Sequence, residues 1–196
     1  MDFIANVVAN SRKQIVKVVA GDLESAWLEG VKFCKQTRQI PISQRFDVVI
    51  TSPGGYPRDI NLWQSQKALS SAESATYTGG DIILVVECRD GLGGKTDTYS
   101  RWLREGKTPA EVMERFEREG WNEGSSKAYM FARALNRFKI TVVTENIEPK
   151  ILNNMFLNHA STIEEAINKV LKGRKASTRI CILPHGSSIA ISYSNG

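Results

Sequence analysis

The chain has 196 residues, 41% hydrophobic and 24% charged, with a net charge of +5. That balance fits one globular domain with a real core and excludes a disordered chain. It contains no apolar run of the roughly 18–20 residues that spans a bilayer and no basic leader followed by an apolar stretch. Its three cysteines, Cys34, Cys88 and Cys181, form no zinc pattern, so a cytoplasmic, reduced protein without a membrane partner is expected.

Residues 3–20 alternate apolar and polar positions around Asn10-Ser11-Arg12-Lys13, the pattern of a β-hairpin. Asp22 is placed to cap a helix over residues 23–36, with Ala26, Val31 and Phe33 among its apolar positions. A compact apolar strand over 46–51 runs into the turn former Ser52-Pro53-Gly54-Gly55-Tyr56-Pro57, and a helix over 61–75 follows, with Asp59 placed to cap it. The pattern repeats: a buried strand over 81–86, then the glycine-rich segment 87–94. Three helices are expected next, over 98–105, 109–119 and 126–138, with Thr108-Pro109 as N-cap and first helical position of the second. A strand over 139–144, helices over 149–157 and 163–171 (the latter opened by Ser161 or Thr162), and strands over 179–183 and 188–192 complete the chain.

The densest basic cluster, Lys169, Lys172, Arg174 and Lys175, falls at a helix end, where it complements the macrodipole. No basic face interleaved with aromatics indicates a nucleic-acid partner. Apolar strands alternating with helices indicate βαβ units. The expected fold is α/β, a mostly parallel sheet flanked by helices in a Rossmann-like three-layer arrangement, with the N-terminal hairpin as an extension and residues 1–196 as a single domain.

In such a sheet ligands bind beyond the carboxyl ends of the strands. Four segments fall there: the Gly54-Gly55 turn, the loop opened by Glu87, Glu145-Asn146, and Pro184-His185-Gly186-Ser187. The first is the most informative. Gly54 and Gly55 permit positive φ, so their N–H groups can face an anion, and the following helix adds unpaired N–H groups of its own. Gln64 and Lys67 share one face of that helix, and an amide beside an ammonium can address a carboxylate and a neighbouring hydroxyl together. The competing reading is a capped surface helix with solvated side chains.

Other positions carry less. His185 is an acid–base candidate in a turn that structure alone can explain, and His159 lies just past a helix end. Glu87 can orient a ligand or brace its own loop, and Asp90 can cap a turn. Cys88 has no neighbouring His to activate it. Trp63, Trp102 and Trp121 can wall a pocket or simply pack. No metal-ligand set is expected, and Gly91-Leu92-Gly93-Gly94 is no dinucleotide fingerprint.

The segment Ser52-Pro53-Gly54-Gly55-Tyr56-Pro57 followed by Trp63-Gln64 and Lys67 resembles the C-terminal domain of the nickel-pincer 2-hydroxyacid (lactate) racemases. The likeness extends in order through Asp2-Phe3-Ile4-Ala5-Asn6, Ala20-Gly21-Asp22, Gly79-Gly80-Asp81, Glu87-Cys88-Arg89-Asp90-Gly91, Lys127-Ala128-Tyr129 with Ala132-Arg133, and Leu183-Pro184-His185-Gly186. The resemblance implies racemisation or epimerisation at the hydroxyl-bearing carbon of a 2-hydroxy acid. It also implies a nickel-pincer nucleotide and an acid–base histidine pair, both held mainly by an N-terminal catalytic domain that this sequence lacks. No catalytic residue is therefore expected here, and no cofactor bound tightly to this part alone.

What carries over is substrate contact. Lys67 would neutralise the carboxylate, Gln64 would hydrogen-bond it, Gly54 and Gly55 would shape the floor, and Trp63 stands where the family has an aromatic residue. Lactate-specific members place a tryptophan where Ser126 stands, with Trp121 out of register, which opens the way to a larger or more polar 2-hydroxy acid. The implied partners are the N-terminal catalytic domain and a small 2-hydroxy acid, the chain being one piece of a longer or split enzyme. The alternative from another class is a stand-alone α/β module that binds a small carboxylate or phosphate.

Overall fold

The structure, a computed structural model, describes residues 2–10 and 12–193. Five strands form its centre: β4 (Phe46–Thr51), β5 (Thr76–Val85), β6 (Lys139–Val143), β7 (Asn158–Ala160) and β8 (Ile180–Leu183). They lie in the order β7-β6-β5-β4-β8 and every pairing is parallel, so all five carboxyl ends reach one edge. Side chains along these strands alternate between two apolar layers, as the two-residue period requires. Val49, Ile82, Leu84, Ile140 and Val142 pack with α2 (Leu62–Ala75), α3 (Thr98–Glu105), α4 (Pro109–Glu119) and α5 (Ser125–Leu135). Val48, Ile50, Ile83 and Val143 face α7 (Ile163–Leu171) on the other side. The expected three-layer α/β architecture is the one observed.

The opening hairpin forms as expected from β1 (Ile4–Ala9) and β2 (Ile15–Gly21), antiparallel, with α1 (Leu23–Arg38) against it. Asp22 caps α1 by accepting from the Ser25 amide at 3.0 Å. Arg38 ties this unit to the rest: its guanidinium donates to the Ala9 carbonyl at 3.1 Å and to the Ser188 carbonyl at 3.4 Å.

Several boundaries differ from expectation. Asn61, not Asp59, caps α2, its Oδ1 accepting from the Gln64 amide at 3.0 Å. Asp59 is buried and leaves Oδ1 without a partner. Strand β5 begins at Thr76, directly after α2, because Gly79 (φ +84) and Gly80 carry an extended chain through a bend that the glycines had hidden. The helix expected over 149–157 stops at Asn153 as α6 (Pro149–Asn153), since Phe156 takes φ +62 and the chain turns into the short edge strand β7. Strand β3 (Gln39–Ile42), unrecognised in the sequence because Pro41 interrupts it, pairs in parallel with β9 (Ala190–Tyr193). Proline survives there because the pair has free edges. Thr162 is the residue that caps α7. No helix among the described residues is long and apolar enough to cross a membrane.

Candidate functional site

At the carboxyl edge, the segment after β4 is held from both sides. The Gly186 amide donates to the Ser52 carbonyl at 2.8 Å, and Ser187 Oγ donates to the Pro53 carbonyl at 2.5 Å. Gly54 and Gly55 take φ +102 and +78, the left-handed conformations for which glycine is suited. A Cβ on Gly54 would lie 2.7 Å from His185 Nδ1. The glycine is therefore needed to let the imidazole lie against the turn, and His185 joins the rim of this edge.

The proposed anion cradle of backbone amides is not what the chain builds. The Gly54 amide donates to Ser52 Oγ at 3.2 Å. At the head of α2, the Leu62 and Trp63 amides donate to the Gly91 and Leu92 carbonyls, each at 3.0 Å, and the Gln64 amide is taken by Asn61. The expected free N–H groups are thus spent on stitching two loops together, which also uses Cys88 N to Asp59 O and Asp90 N to Ile60 O, both 2.8 Å. A buried donor must find a partner, and the glycine-rich loop supplies it. Of the amides expected to be free, those of Gly54, Gly55 and the first turn of α2, the Gly55 N–H alone has no acceptor among the described residues.

Side chains carry the site instead. Lys67 and Gln64 project from one face of α2, and Lys67 Nζ donates to Gln64 Oε1 at 2.7 Å. That bond occupies Gln64 Oε1 and leaves the amide NH2 as a second donor close to the ammonium, a donor pair suited to one carboxylate. The neighbouring wall is Trp63, set edge-on to Tyr99 with ring centroids 5.2 Å apart, while Tyr99 donates to the Leu92 carbonyl at 2.5 Å.

The structure adds Lys127, which the sequence reading named only as part of a motif. It sits in the first turn of α5, half-buried, with Nζ 5.3 Å from the Trp63 ring centre and 2.9 Å from Gln66 Oε1. Burial lowers its ammonium to about 8, and the charge of Lys67 pushes the same way. Neither lysine is paired with a carboxylate among the described residues. A cation in the first turn of a helix, where basic residues are disfavoured, was the available signal.

The weaker candidates resolve individually. Glu87 is exposed and bonded to Arg89, while its carbonyl accepts from Thr144 Oγ1 at 2.7 Å and Asn146 Nδ2 at 2.8 Å, so it braces the edge. His159 Nε2 lies 2.8 Å from the Thr144 carbonyl oxygen. The Cys88 thiol is buried and pushed up to about 12 by desolvation, an inert state. Trp102 is buried beneath Arg115, and Trp121 is exposed. A cleft of about 920 Å³ lies elsewhere, between α7 and the amino ends of β5 and β6, lined by Asp81, Lys139, Lys169 and Arg174 among others. Its size alone does not make it the functional edge, since it lies away from the carboxyl ends of β4 and β5 and two of its cations are already paired, Arg174 with Asp81 and Lys169 with Glu165.

With the two histidines bonded or packed separately, no group of three or more His, Cys, Asp or Glu gathers among the described residues. These residues do not fit a nickel site.

Comparison with known proteins identifies the family of the chain. The model of the lactate racemase C-terminal domain matches residues 42–191, leaving the hairpin and α1 outside the match. The lactate racemase of Thermoanaerobacterium thermosaccharolyticum is 34% identical over 192 residues, covering 96% of this chain and 44% of that protein. The lactate racemase of Lactiplantibacillus plantarum is 30% identical, covering 96% of this chain and 45% of its own length. Among solved structures, the T. thermosaccharolyticum lactate racemase apoprotein superposes with a TM-score of 0.87 over 98% of this chain and 46% of that one. A Thermotoga maritima protein at 14% identity shares the fold with a TM-score of 0.65. The chain thus spans less than half the length of the curated relatives it matches. It belongs to the lactate racemase C-terminal domain family.

Proposed function

We propose that this chain is the substrate-side part of a racemase or epimerase acting on a 2-hydroxy acid. The observation that carries the reading is the Gln64–Lys67 donor pair, exposed at the carboxyl edge and without a carboxylate partner among the described residues. Lys67 supplies the charge that attracts the substrate carboxylate. The Gln64 amide, oriented by Lys67, donates to a second oxygen. Trp63 limits how the rest of the molecule lies. Gly54 and Gly55 form the floor by letting His185 close in, not by offering a nest of amides.

The cofactor belongs to the other part of the enzyme in this reading. A nickel-pincer nucleotide would supply hydride exchange at the hydroxyl-bearing carbon, and the residues of this chain do not fit it. The exposed apolar side of the hairpin and α1, including Val18 and Trp27, supports packing against that other part.

In the complete enzyme, Lys67→Ala is expected to lower kcat/KM by about 100-fold or more, the scale of losing a charged contact to the reacting molecule. An unchanged value removes Lys67 from the site. The chain by itself is expected to racemise no 2-hydroxy acid, and a polarimetric assay showing turnover by it overturns the division of labour.

A further inference from the structure

Lys127 is an uncompensated charge. Its ammonium lies half-buried at the positive end of α5, near a second ammonium, with no carboxylate among the described residues to balance either. Among the described residues its Nζ bonds to the neutral Gln66 amide, itself fully buried, whose Nε2 has no partner there. Burial and the neighbouring Lys67 ammonium both disfavour a proton on Lys127, which Gln66 Oε1 and the Trp63 ring offset only as neutral groups. Such a group becomes favourable when an anion arrives, because attraction in a partly desolvated setting is stronger than in water. Trp63 lies beside Lys127 and next in sequence to Gln64, so the two lysines flank a single aromatic wall. A monocarboxylate neutralises only one of them.

We propose that Lys127 is a second anion-binding residue of this site, so that the preferred ligand is a 2-hydroxy acid carrying a second negative group. The 2-hydroxycarboxylate end meets Lys67 and Gln64, and the distal group meets Lys127 across the Trp63 ring. This rests on the functional reading above and narrows its substrate class. Ser126, short and exposed in the preceding position, leaves room on that side for a longer substrate.

Isothermal titration of the purified chain at pH 7 with lactate, malate and 3-phosphoglycerate tests it. Malate, 3-phosphoglycerate or both should bind at least about tenfold more tightly than lactate, a modest yield for one added charge contact. Lys127→Met, which keeps the apolar stem, should abolish that preference. Lys127→Arg should retain it. Lys107→Met, which removes an equal charge from an exposed position elsewhere, should leave the preference intact, and circular dichroism shows that each variant is folded. Equal affinity for all three ligands, or a preference that survives in Lys127→Met, overturns the inference. If lactate still binds in a Lys67-dependent way, the functional reading stands without it. If no ligand binds the folded chain, both fall together.

Discussion

In the five-stranded sheet Ile82, Ile83 and Leu84 are fully buried, whereas in the hairpin and α1 Ile15, Val18 and Trp27 are 63%, 58% and 55% exposed. The same residue types thus meet opposite solvent conditions within one chain. The sheet has helices on both faces and completes its own core. The hairpin and α1 bury Val8, Val19 and Ala26 against each other and leave their remaining apolar surface in water, with a cleft of about 350 Å³ between them. One region holds most of the described core, while the other leaves large apolar side chains exposed. The family match divides the chain in the same place, beginning at residue 42.

The widest gap between the regions should appear in thiol chemistry. Cys34, exposed on α1, should react with a disulfide reagent at the rate of a free thiol. Cys88, buried with its thiol raised to about 12, should react at least about a thousandfold more slowly until the protein unfolds. Comparable rates would mean that the sheet region opens as readily as the helix surface.

Truncating side chains probes the same contrast energetically. Leu84→Ala should cost about 2–5 kcal/mol in urea denaturation, the range for a buried leucine that leaves a cavity. Trp27→Ala should change stability by less than about 0.5 kcal/mol in this chain. In the complete enzyme the same tryptophan should become costly, by more than about 1 kcal/mol, if that face is covered. A large effect of Trp27→Ala in the chain alone would break the comparison.

A smaller effect than that of Leu84→Ala concerns Lys127. Its folded value, about 8, lies below the ordinary 10.5. Between those values the unfolded chain holds a proton that the folded chain has released, so folding stability rises with pH across that window. Below about pH 8 the whole penalty for charging Lys127 is present. Discounted for its partial exposure, this amounts to roughly 1 kcal/mol. The stability of Lys127→Met relative to the parent should therefore improve by about that amount between pH 10.5 and pH 7, whatever the constant cost of losing the bond to Gln66. A pH-independent difference would show that Lys127 is not held in a desolvated place.

Much was legible because it is local. The bounds of β4, α3 and α4 follow from hydrophobic period and caps, which depend on residues a few positions apart. Gln64 and Lys67 were readable as a pair for the same reason, since helical spacing alone puts them on one face. Asp59 misled because both it and Asn61 are good caps, and the choice between them was made by the loop at Cys88 and Asp90 drawing the Asp59 segment inward.

The free amides at the head of α2 were lost to Gly91 and Leu92, about thirty positions away in the chain, and no local pattern foretells that. Lys127 reaches Gln66 across a separation of 61 residues. The sequence by itself determined most of the central elements, β4, β6 and α2 to α5 among them, and which helix face bears the ammonium of Lys67, because backbone propensity and side-chain period act within a turn or two. Only the tertiary structure decided which donors stay free and which charges stand together, because hydrogen bonding and Coulomb energy depend on distance in space.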